Sequence, residues 1–544
     1  MADSQDGPIF KPASPLVQRT LLLQTGGETN TVEVPGDPRK DEVDRWYERG
    51  GNPPMRDPTS GNLVKYMIGG GATFREMVGA MRTANQPGHF VYLLGWFLAV
   101  DFELINQDSS STIRQIFTDL DALGVQIRVM LWEQWVSAFV KTVLDPVLNR
   151  FGKGGTIGYF NIPSPLLFSN TDATKFINSL PGKQSSPTTA PSGMGPTAGA
   201  ITDDRLPPAG AHHQKLLVVG GAQGLIGFCG GCDINPDRVL GLGLQAVFAP
   251  GAPLHDVHCR IQGPAADDLL SVFVERWFSH PGTRSIDQTR GRLRTGAQGG
   301  QSLGGQFVQV AETYGSGGKP FPQPRDTISR MFTKAINAAT EFIYIEDQYL
   351  VNMHTAALLA ARVPVLKHLT ILIPAASLTS DLPECAFRRQ EFIKVIQAAD
   401  NTGKKVRVRQ LKPPGAFNTY VHSKTWVFDD RFMITGSPNV NRRGWSHDSE
   451  VAVGVLDGAS DEEVVHHLAH QLRIDLWAKH LGMDNPVGKA QLEHGVHSVG
   501  FWDNPPFGAR IENYVTPPLS FAEQLVFSQK SQWEDAWNGL CDPA

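Results

Sequence analysis

Apolar residues recur along residues 63–132 with two alternating spacings, which predict helices and strands in turn. Segments 73–84 and 111–124 carry them every three or four positions, as on the buried face of a helix. Segments 89–100 and 125–132 are short, nearly continuous apolar runs, as in strands that are covered on both faces. This β-α-β alternation predicts an α/β fold with a parallel or mixed sheet covered by helices.

The same alternation begins again after a glycine-rich stretch at residues 295–306. The repeat is roughly 200 residues long, far longer than the period of a solenoid. The sequence therefore predicts two similar halves fused in one chain as a pseudo-dimer. Helices and strands of the second half are predicted at 325–340, 341–350, 368–374, 384–399 and 405–411.

The pattern divides the chain into five segments. They are an extended lead-in, a first half, a linker, a second half and a C-terminal extension, predicted at 1–62, 63–290, 291–320, 321–489 and 490–544. Residues 179–210 are dense in Pro, Gly, Ser and Thr, so a flexible loop is predicted there, either a lid or a plain insertion.

Two of the sixteen histidines begin an H-x-K triplet, at matching places in the two halves. They are His213, followed by Lys215, and His422, followed by Lys424. Residues i and i+2 point to one face of a strand, so each imidazole and ammonium can address one ligand group together. Two such pairs suit a phosphodiester. The lysines would offset charge on the non-bridging oxygens, one imidazole would attack phosphorus, and the other would protonate the leaving alcohol.

A nucleophilic histidine works best when a carboxylate holds its second ring nitrogen, because this fixes the tautomer and favours the cationic state. Each half offers one candidate downstream of its triplet. In the first half it is Asp256, within PLHDVHC, and in the second it is Glu450, within HDSEVAVG.

The second half carries the spacing HxKx4D, completed by Asp429, and the turn GSPN at 436–439. Two such motifs in one chain resemble the signature of the phospholipase D superfamily. IYIEDQYL (343–350), LHDVHCRIQGPAADDLLSVFVERWF (254–278) and SPNVNRRGWSHDSEVAV (437–453) resemble further segments of its phosphatidylcholine-hydrolysing members. The resemblance covers roughly residues 65–480. It implies a duplicated fold of two similar α-β-α sandwich halves with mixed sheets, related by a pseudo-two-fold axis.

The resemblance also implies a role for each matched residue. His213 would be the nucleophile and His422 the general acid, although the nearly two-fold site leaves the reverse assignment open. Asp256 would orient His213, and Glu450 would orient His422. The family needs no metal or other cofactor for catalysis. The residues implied to bind the substrate phosphate are Lys215, Lys424, Asn439, Asp233 and Ser437.

The first motif departs from the family pattern at Gly220, which stands where the second motif has Asp429. This position is seven residues after the histidine, so on a regular strand it points away from the catalytic face. We therefore expect a structural role at both positions and tolerance of the loss. The alternative is a weakened first half, with His422 as the nucleophile.

Composition narrows the choice of substrate and compartment. The formal net charge is −5, whereas nucleic-acid-binding proteins are more often basic, so nucleic acid is disfavoured. The five cysteines are too sparse for a disulfide framework, and the CxxC at Cys229 and Cys232 is typical of two small buried residues. No apolar run is long enough to span a membrane. The N-terminus lacks the features of a Sec-type signal peptide, which leaves a cytoplasmic protein or one exported by a signal-less route, such as an effector.

The sequence thus predicts a phospholipase D-type phosphodiesterase acting on glycerophospholipids as a peripheral protein at a membrane surface. It would release phosphatidic acid and a free head group through a phosphohistidine intermediate, and would transfer the phosphatidyl group to an alcohol. The alternatives are a metal-independent nuclease and a lipid-binding pseudoenzyme. The sequence pattern defines neither the head-group preference nor the oligomeric state.

Overall fold

The structure is a computed structural model, and it describes residues 38–133, 170–183, 195–205, 210–239, 253–295, 302–315, 324–375, 383–411, 420–457 and 468–516. Within these ranges, sixteen strands form one continuous mixed sheet.

Seven strands of the sheet belong to the first half. Their order across the sheet is β4-β3-β2-β5-β6-β7-β1. The pairs β2/β3 and β3/β4 are parallel, and the other neighbours are antiparallel. The strands are β1 (Thr59–Ile68), β2 (Phe90–Gly95), β3 (Gln126–Trp132), β4 (Ala198–Asp203), β5 (Leu216–Gly221), β6 (Gly224–Gly230) and β7 (Val257–Gln262).

The second half repeats this arrangement in the order β12-β11-β10-β13-β14-β15-β8, with β16 added beside β12 and β9 beside β8. Its two parallel pairs, β10/β11 and β11/β12, stand in the matching places. This correspondence confirms the predicted duplicated fold. The strands are β8 (Gln306–Tyr314), β9 (Arg325–Asp326), β10 (Phe342–Glu346), β11 (His368–Ile373), β12 (Val406–Leu411), β13 (Thr425–Phe428), β14 (Phe432–Gly436), β15 (Glu450–Leu456) and β16 (Ile511–Asn513).

The two halves meet where β1 pairs antiparallel with β8, which turns two sheets into one. Thr59 is opposite Val308 and Asn62 is opposite Gln306, with a shift of register between the two pairs. Such a bulge bends the strand locally and is common at sheet margins.

Helices cover both faces of the sheet. The helices are α1 (Pro38–Trp46), α2 (Gly70–Thr83), α3 (Ile113–Ala122), α4 (Thr171–Asn178), α5 (Pro264–Ser279), α6 (Thr283–Arg290), α7 (Thr327–Ala338), α8 (Met353–Arg362), α9 (Pro383–Ala398), α10 (Arg442–Ser446), α11 (Leu468–Leu481), α12 (Pro486–Gln491), α13 (Gly495–Ser498) and α14 (Gly500–Asp503). None of them is long and apolar enough to cross a membrane.

Three large hydrophobic cores among the described residues hold these layers together. One packs α2, α3 and α4 on the first half, and a second packs α7, α8 and α9 on the second half. The third core extends over both halves on the opposite face and contains Trp277 of α5 and Trp477 of α11, both fully buried. Truncating a buried tryptophan costs about 3–5 kcal/mol, so this shared core contributes strongly to the docking of the halves.

The structure differs from several predicted segment boundaries. β4 lies in the predicted flexible loop 179–210, and β8 lies in the predicted linker 291–320. The lead-in contains α1 and the start of β1, while the C-terminal extension contains β16. The apolar signal is weak in these strands, and their burial comes from the strands beside them. Residues 1–37, 184–194, 206–209 and 517–544 lie outside the described residues.

Candidate active site

His213 and His422 each lie three residues before a central strand, β5 and β13. Their backbones pair with chain segments of the opposite half. The amide of His213 donates to the carbonyl of Ser449 at 2.9 Å, and the amide of His422 donates to the carbonyl of His255 at 2.8 Å. Each motif is therefore docked beside the residue that precedes the carboxylate of the other half.

This docking crosses the expected histidine–carboxylate pairs. Nδ1 of His213 lies 2.9 Å from Oε1 of Glu450, and Nδ1 of His422 lies 2.8 Å from Oδ2 of Asp256. The expectation that Asp256 orients His213 and Glu450 orients His422 is therefore wrong. Each carboxylate holds the histidine of the opposite half, because the backbone pairing places it next to that imidazole.

Each lysine of the H-x-K triplets is buried beside its histidine. Nζ of Lys215 lies 3.0 Å from the carbonyl oxygen of His213 and 3.1 Å from Oδ2 of Asp233. Nζ of Lys424 lies 3.0 Å from Oε1 of Gln348 and 3.2 Å from Nδ1 of His422. Burial lowers the pKa of Lys424 to about 7.

Arg238 is a site residue that the sequence analysis passed over. It follows β6 in a short 3-10 turn and is almost fully buried. Its Nη2 lies 3.4 Å from Nε2 of His422, and its Nε lies 3.4 Å from Oδ2 of Asp256. The one signal in the sequence was the charged pair Asp237-Arg238 closing the glycine turn CGGCDINPDR.

The side chains of both H-x-K motifs affect the pKa of each histidine, which shows that the four side chains share one site. Burial, and then Lys215 and Lys424, hold the pKa of His213 well below its usual value. Burial, followed by Lys424 and Arg238, does the same for His422, to which Lys215 and His213 also contribute. Burial raises the pKa of Glu450 to about 7. Without a ligand, both imidazoles are thus neutral at pH 7.

Known proteins match this chain in sequence. A family model described as Phospholipase D matches residues 391–494, which include the second motif. Phospholipase D alpha 1 of Ricinus communis is 21% identical over 552 residues, and phospholipase D gamma 1 of Arabidopsis thaliana is 23% identical over 571 residues. The alignments cover 76% and 78% of this chain, and 65% and 64% of the relatives. Over about three quarters of its length, the chain is thus similar to enzymes named phospholipase D.

The match with these superfamily members is partial, because the chain spans less than two thirds of the length of either relative. Among solved structures, a phosphatidylserine synthase of Haemophilus influenzae covers 87% of this chain and 93% of its own, at 13% identity and a TM-score of 0.49. That likeness is too low to bear on the fold, which the repeated strand order establishes by itself.

Two of the residues that the superfamily resemblance implied as phosphate ligands have other partners. The hydroxyl of Ser437 donates its single proton to Glu450 and accepts from the amide of Val451 at 3.0 Å, so it has no proton left for a phosphate oxygen. Asp233 pairs with Lys215 at 3.1 Å, and it accepts from the amide of Trp96 at 3.1 Å. We therefore assign both residues to holding catalytic groups in place.

Asn439 differs from these two residues. Its side chain is buried, and Oδ1 has no hydrogen-bond partner among the described residues. Because Oδ1 only accepts hydrogen bonds, the predicted contact to a substrate phosphate would have to come from the Nδ2–H donor of this amide. At the position equivalent to Ser437 the first half has Gly231, where an added Cβ would overlap Oδ1 of Asp256. The glycine thus leaves room for the shorter carboxylate.

The seventh residue after each histidine, Asp429 or Gly220, contacts the surrounding fold at the far end of its strand from that histidine. Asp429 accepts from the amides of Thr340, Glu341 and Phe342 at 2.7–2.8 Å, at the end of β13 remote from His422. Gly220 is opposite Phe90 in the β5/β2 pair, and an added Cβ would overlap the Phe90 ring. The first half therefore has no space for the motif aspartate.

One cluster within the described ranges has the composition of a metal site. His255, Glu346 and His480 bring three donor atoms within 4.8 Å of one another. Glu346 already contacts His255 at 2.8 Å and His480 at 2.7 Å, and it accepts the hydroxyl of Tyr344 at 2.8 Å. These hydrogen bonds satisfy the cluster without an ion.

Cys229 and Cys232 are both buried free thiols.

Proposed function

We propose that this chain is a phosphodiesterase of the phospholipase D type that hydrolyses glycerophospholipids to phosphatidic acid and a free head group. The observation that carries the proposal is the pair of histidine–carboxylate contacts between the halves, each beside a buried lysine. A carboxylate on Nδ1 leaves Nε2 of His213 available for chemistry, and Nε2 of His422 faces Arg238 at 3.4 Å. The side chains of His213 and His422 keep 15% and 11% of their surface exposed, so a substrate can reach them.

In the first step of the proposed reaction, neutral His213 attacks phosphorus through Nε2. The P–N bond forms, the bond from phosphorus to the head-group oxygen breaks, and His422 transfers a proton from Nε2 to that oxygen. Lys215 and Lys424 offset the charge on the non-bridging oxygens, and Nδ2 of Asn439 donates a hydrogen bond to one of them. The negative charge of the bound phosphodiester raises the pKa of His422, which allows it to carry the proton that the empty site disfavours.

In the second step, a water molecule gives a proton to His422 and attacks phosphorus, and the P–N bond breaks to release phosphatidic acid. An alcohol in place of water gives a phosphatidyl alcohol by the same route. The matched relatives are named phospholipase D, which supports a lipid over a nucleic acid as the substrate. The net charge of −5 agrees with that choice.

The activity is tested with vesicles of mixed phospholipids containing EDTA and a little ethanol. We expect phosphatidic acid and phosphatidylethanol from the unaltered protein, and neither product from His213→Ala or His422→Ala. His89→Ala is the matched control, because His89 precedes β2 at the end remote from the site. Cleavage of single-stranded DNA without lipid products would identify a nuclease, and lipid binding without turnover would identify a pseudoenzyme.

The assignment of the nucleophile needs a separate test. p-Nitrophenolate can leave a phosphodiester without a proton from a general acid. With such a substrate, His422→Ala should therefore still release one p-nitrophenolate per chain in a burst, and the phosphoryl group should stay trapped on His213. His213→Ala should give no burst. The opposite pattern would assign the nucleophile to His422.

A further inference from the structure

A cavity of about 570 Å³ lies next to the candidate active site. Arg238 and His255 line the cavity and also contact the catalytic centre. Nη2 of Arg238 is 3.4 Å from Nε2 of His422, and the carbonyl of His255 accepts the amide of His422. The cavity is thus separated from His422 by the width of one side chain.

The charge of this cavity is strongly positive. Arg75, Lys479 and Arg510 line it, and none of the described carboxylates forms an ion pair with any of them. Arg238, by contrast, is offset by Asp237 at 2.8 Å and by Asp256. Burial lowers the pKa of Lys479, and Arg510 adds to this effect, while the carboxylates Glu346 and Asp484 oppose it without forming an ion pair with the lysine.

The acidic content of the lining is small. Glu103 is the one carboxylate among the described lining residues. The cavity therefore has unbalanced positive charge that an anion would neutralise.

The backbone adds to this preference. Helix α2 begins at the cavity with Gly70 and Gly71, and the amides of its first turn give that end a partial positive charge. A side chain at Gly70 would overlap the carbonyl of Arg238, so the glycine lets the helix start approach the Arg238 turn. The described lining contains no Phe, Tyr or Trp, so it lacks the aromatic rings that recognise quaternary ammonium groups.

Resting on the function proposed above, we propose that this cavity binds the negatively charged end of the substrate head group, so that the enzyme prefers phospholipids with anionic head groups. In that reaction His422 protonates the head-group oxygen, so the head group leaves on the side of His422. Arg238 and the cavity lie on that side. A carboxylate or phosphate on the head group would meet Lys479 and Arg510, whereas a trimethylammonium group would meet repulsion.

The first test compares two substrates that differ by one carboxylate. Short-chain phosphatidylserine and phosphatidylethanolamine, both below their critical micelle concentrations, remove effects of membrane surface charge. We expect kcat/KM to be about tenfold higher for phosphatidylserine, the effect of one partly buried charge-assisted contact. Lys479→Gln and Arg510→Gln should bring the ratio towards one through a higher KM for phosphatidylserine. Lys489→Gln, in α12, where the partly exposed lysine pairs with Asp475, is the matched control. A ratio near one in the unaltered protein, or a ratio unchanged by both variants, would overturn the proposal.

The second test does not depend on hydrolysis. Calorimetric titration with O-phosphoserine and O-phosphoethanolamine measures binding of the two head groups alone. We expect about tenfold tighter binding of O-phosphoserine, lost in Lys479→Gln and retained in Lys479→Arg. This binding difference without lipid turnover would support the cavity and reject the lipase. Lipid turnover without discrimination in either test would support the lipase and reject the cavity.

Discussion

Nδ1 of His213 lies 2.9 Å from Glu450, which belongs to the opposite half of the molecule. The reciprocal contact joins His422 to Asp256. In each half, the tautomer of the histidine is consequently fixed by a carboxylate of the other half. Neither half by itself contains a complete histidine–carboxylate pair. The docking of the two halves therefore assembles both histidine–carboxylate pairs.

The crossed pairs can be verified through the ring protons of the two histidines. Glu450→Gln should shift the Nδ1–H resonance of His213 and leave that of His422 in place, while Asp256→Asn should do the reverse. Each variant should also lose about 10² to 10⁴ in kcat, because the amide no longer holds the reactive tautomer. Proton NMR of imidazole-labelled protein reads the pairing directly. A shift at the histidine of the same half would contradict the crossing.

Introducing the motif aspartate into the first half should destabilise the folded protein. Gly220→Asp introduces a Cβ that overlaps the buried Phe90 ring, which stacks on Tyr92 with ring centroids 4.4 Å apart and has little room to move. We expect a loss of about 1–3 kcal/mol in the free energy of unfolding, measured with urea. Adding Phe90→Leu should recover part of that loss. A Gly220→Asp protein of unchanged or higher stability would show that the site has space.

The corresponding residue of the second half should be important for stability. Asp429→Asn presents an amide donor to three backbone donors at the start of β10. We therefore expect the free energy of unfolding to fall by about 2–3 kcal/mol. Arg45→Gln serves as the control, since its ion pair with Asp429 is partly exposed and should contribute less than about 1 kcal/mol. Equal effects of the two substitutions in urea unfolding would argue against a capping role for the carboxylate.

The raised pKa of Glu450 makes a prediction about pH and stability. Its pKa is about 7 in the folded protein and 4.5 in an unperturbed glutamate, so between these values the folded state holds the extra proton. The contribution of Glu450 to stability therefore falls as pH rises from 4.5 to 7. The difference in unfolding free energy between Glu450→Gln and the unaltered protein should rise by roughly 1–3 kcal/mol over that range. Glu341→Gln, at an exposed position, gives the baseline, and a constant difference would count against a buried, protonated Glu450.

The sequence was most informative where apolar spacing is strong. α2, α3 and β3 lie within two or three residues of their predicted places, because long periodic segments define helices and strands locally. β4 and β8 were not predicted as strands. β4 contains alanine, glycine and threonine, and β8 follows a glycine-rich stretch, so their burial depends on neighbours that are distant in the chain.

The site shows the same division between local and distant information. The H-x-K spacing and the repeat identified His213 and His422, since these patterns are local. The crossing of the carboxylates, and the contact of Arg238 with His422, depend on how the two halves dock. No spacing within one half contains that geometry.

The pairing of β1 with β8 has a consequence for the history of such a chain. A single half would expose this strand as a free sheet edge, which readily recruits another strand. Two copies of one half could satisfy their edges by a two-fold association with each other, but only at sufficient concentration. Fusion makes the encounter intramolecular, with a high effective concentration at any expression level. Fusion also allows the sequences of the two copies to diverge. One copy can then keep Asp429 while the other fills the corresponding space with Phe90.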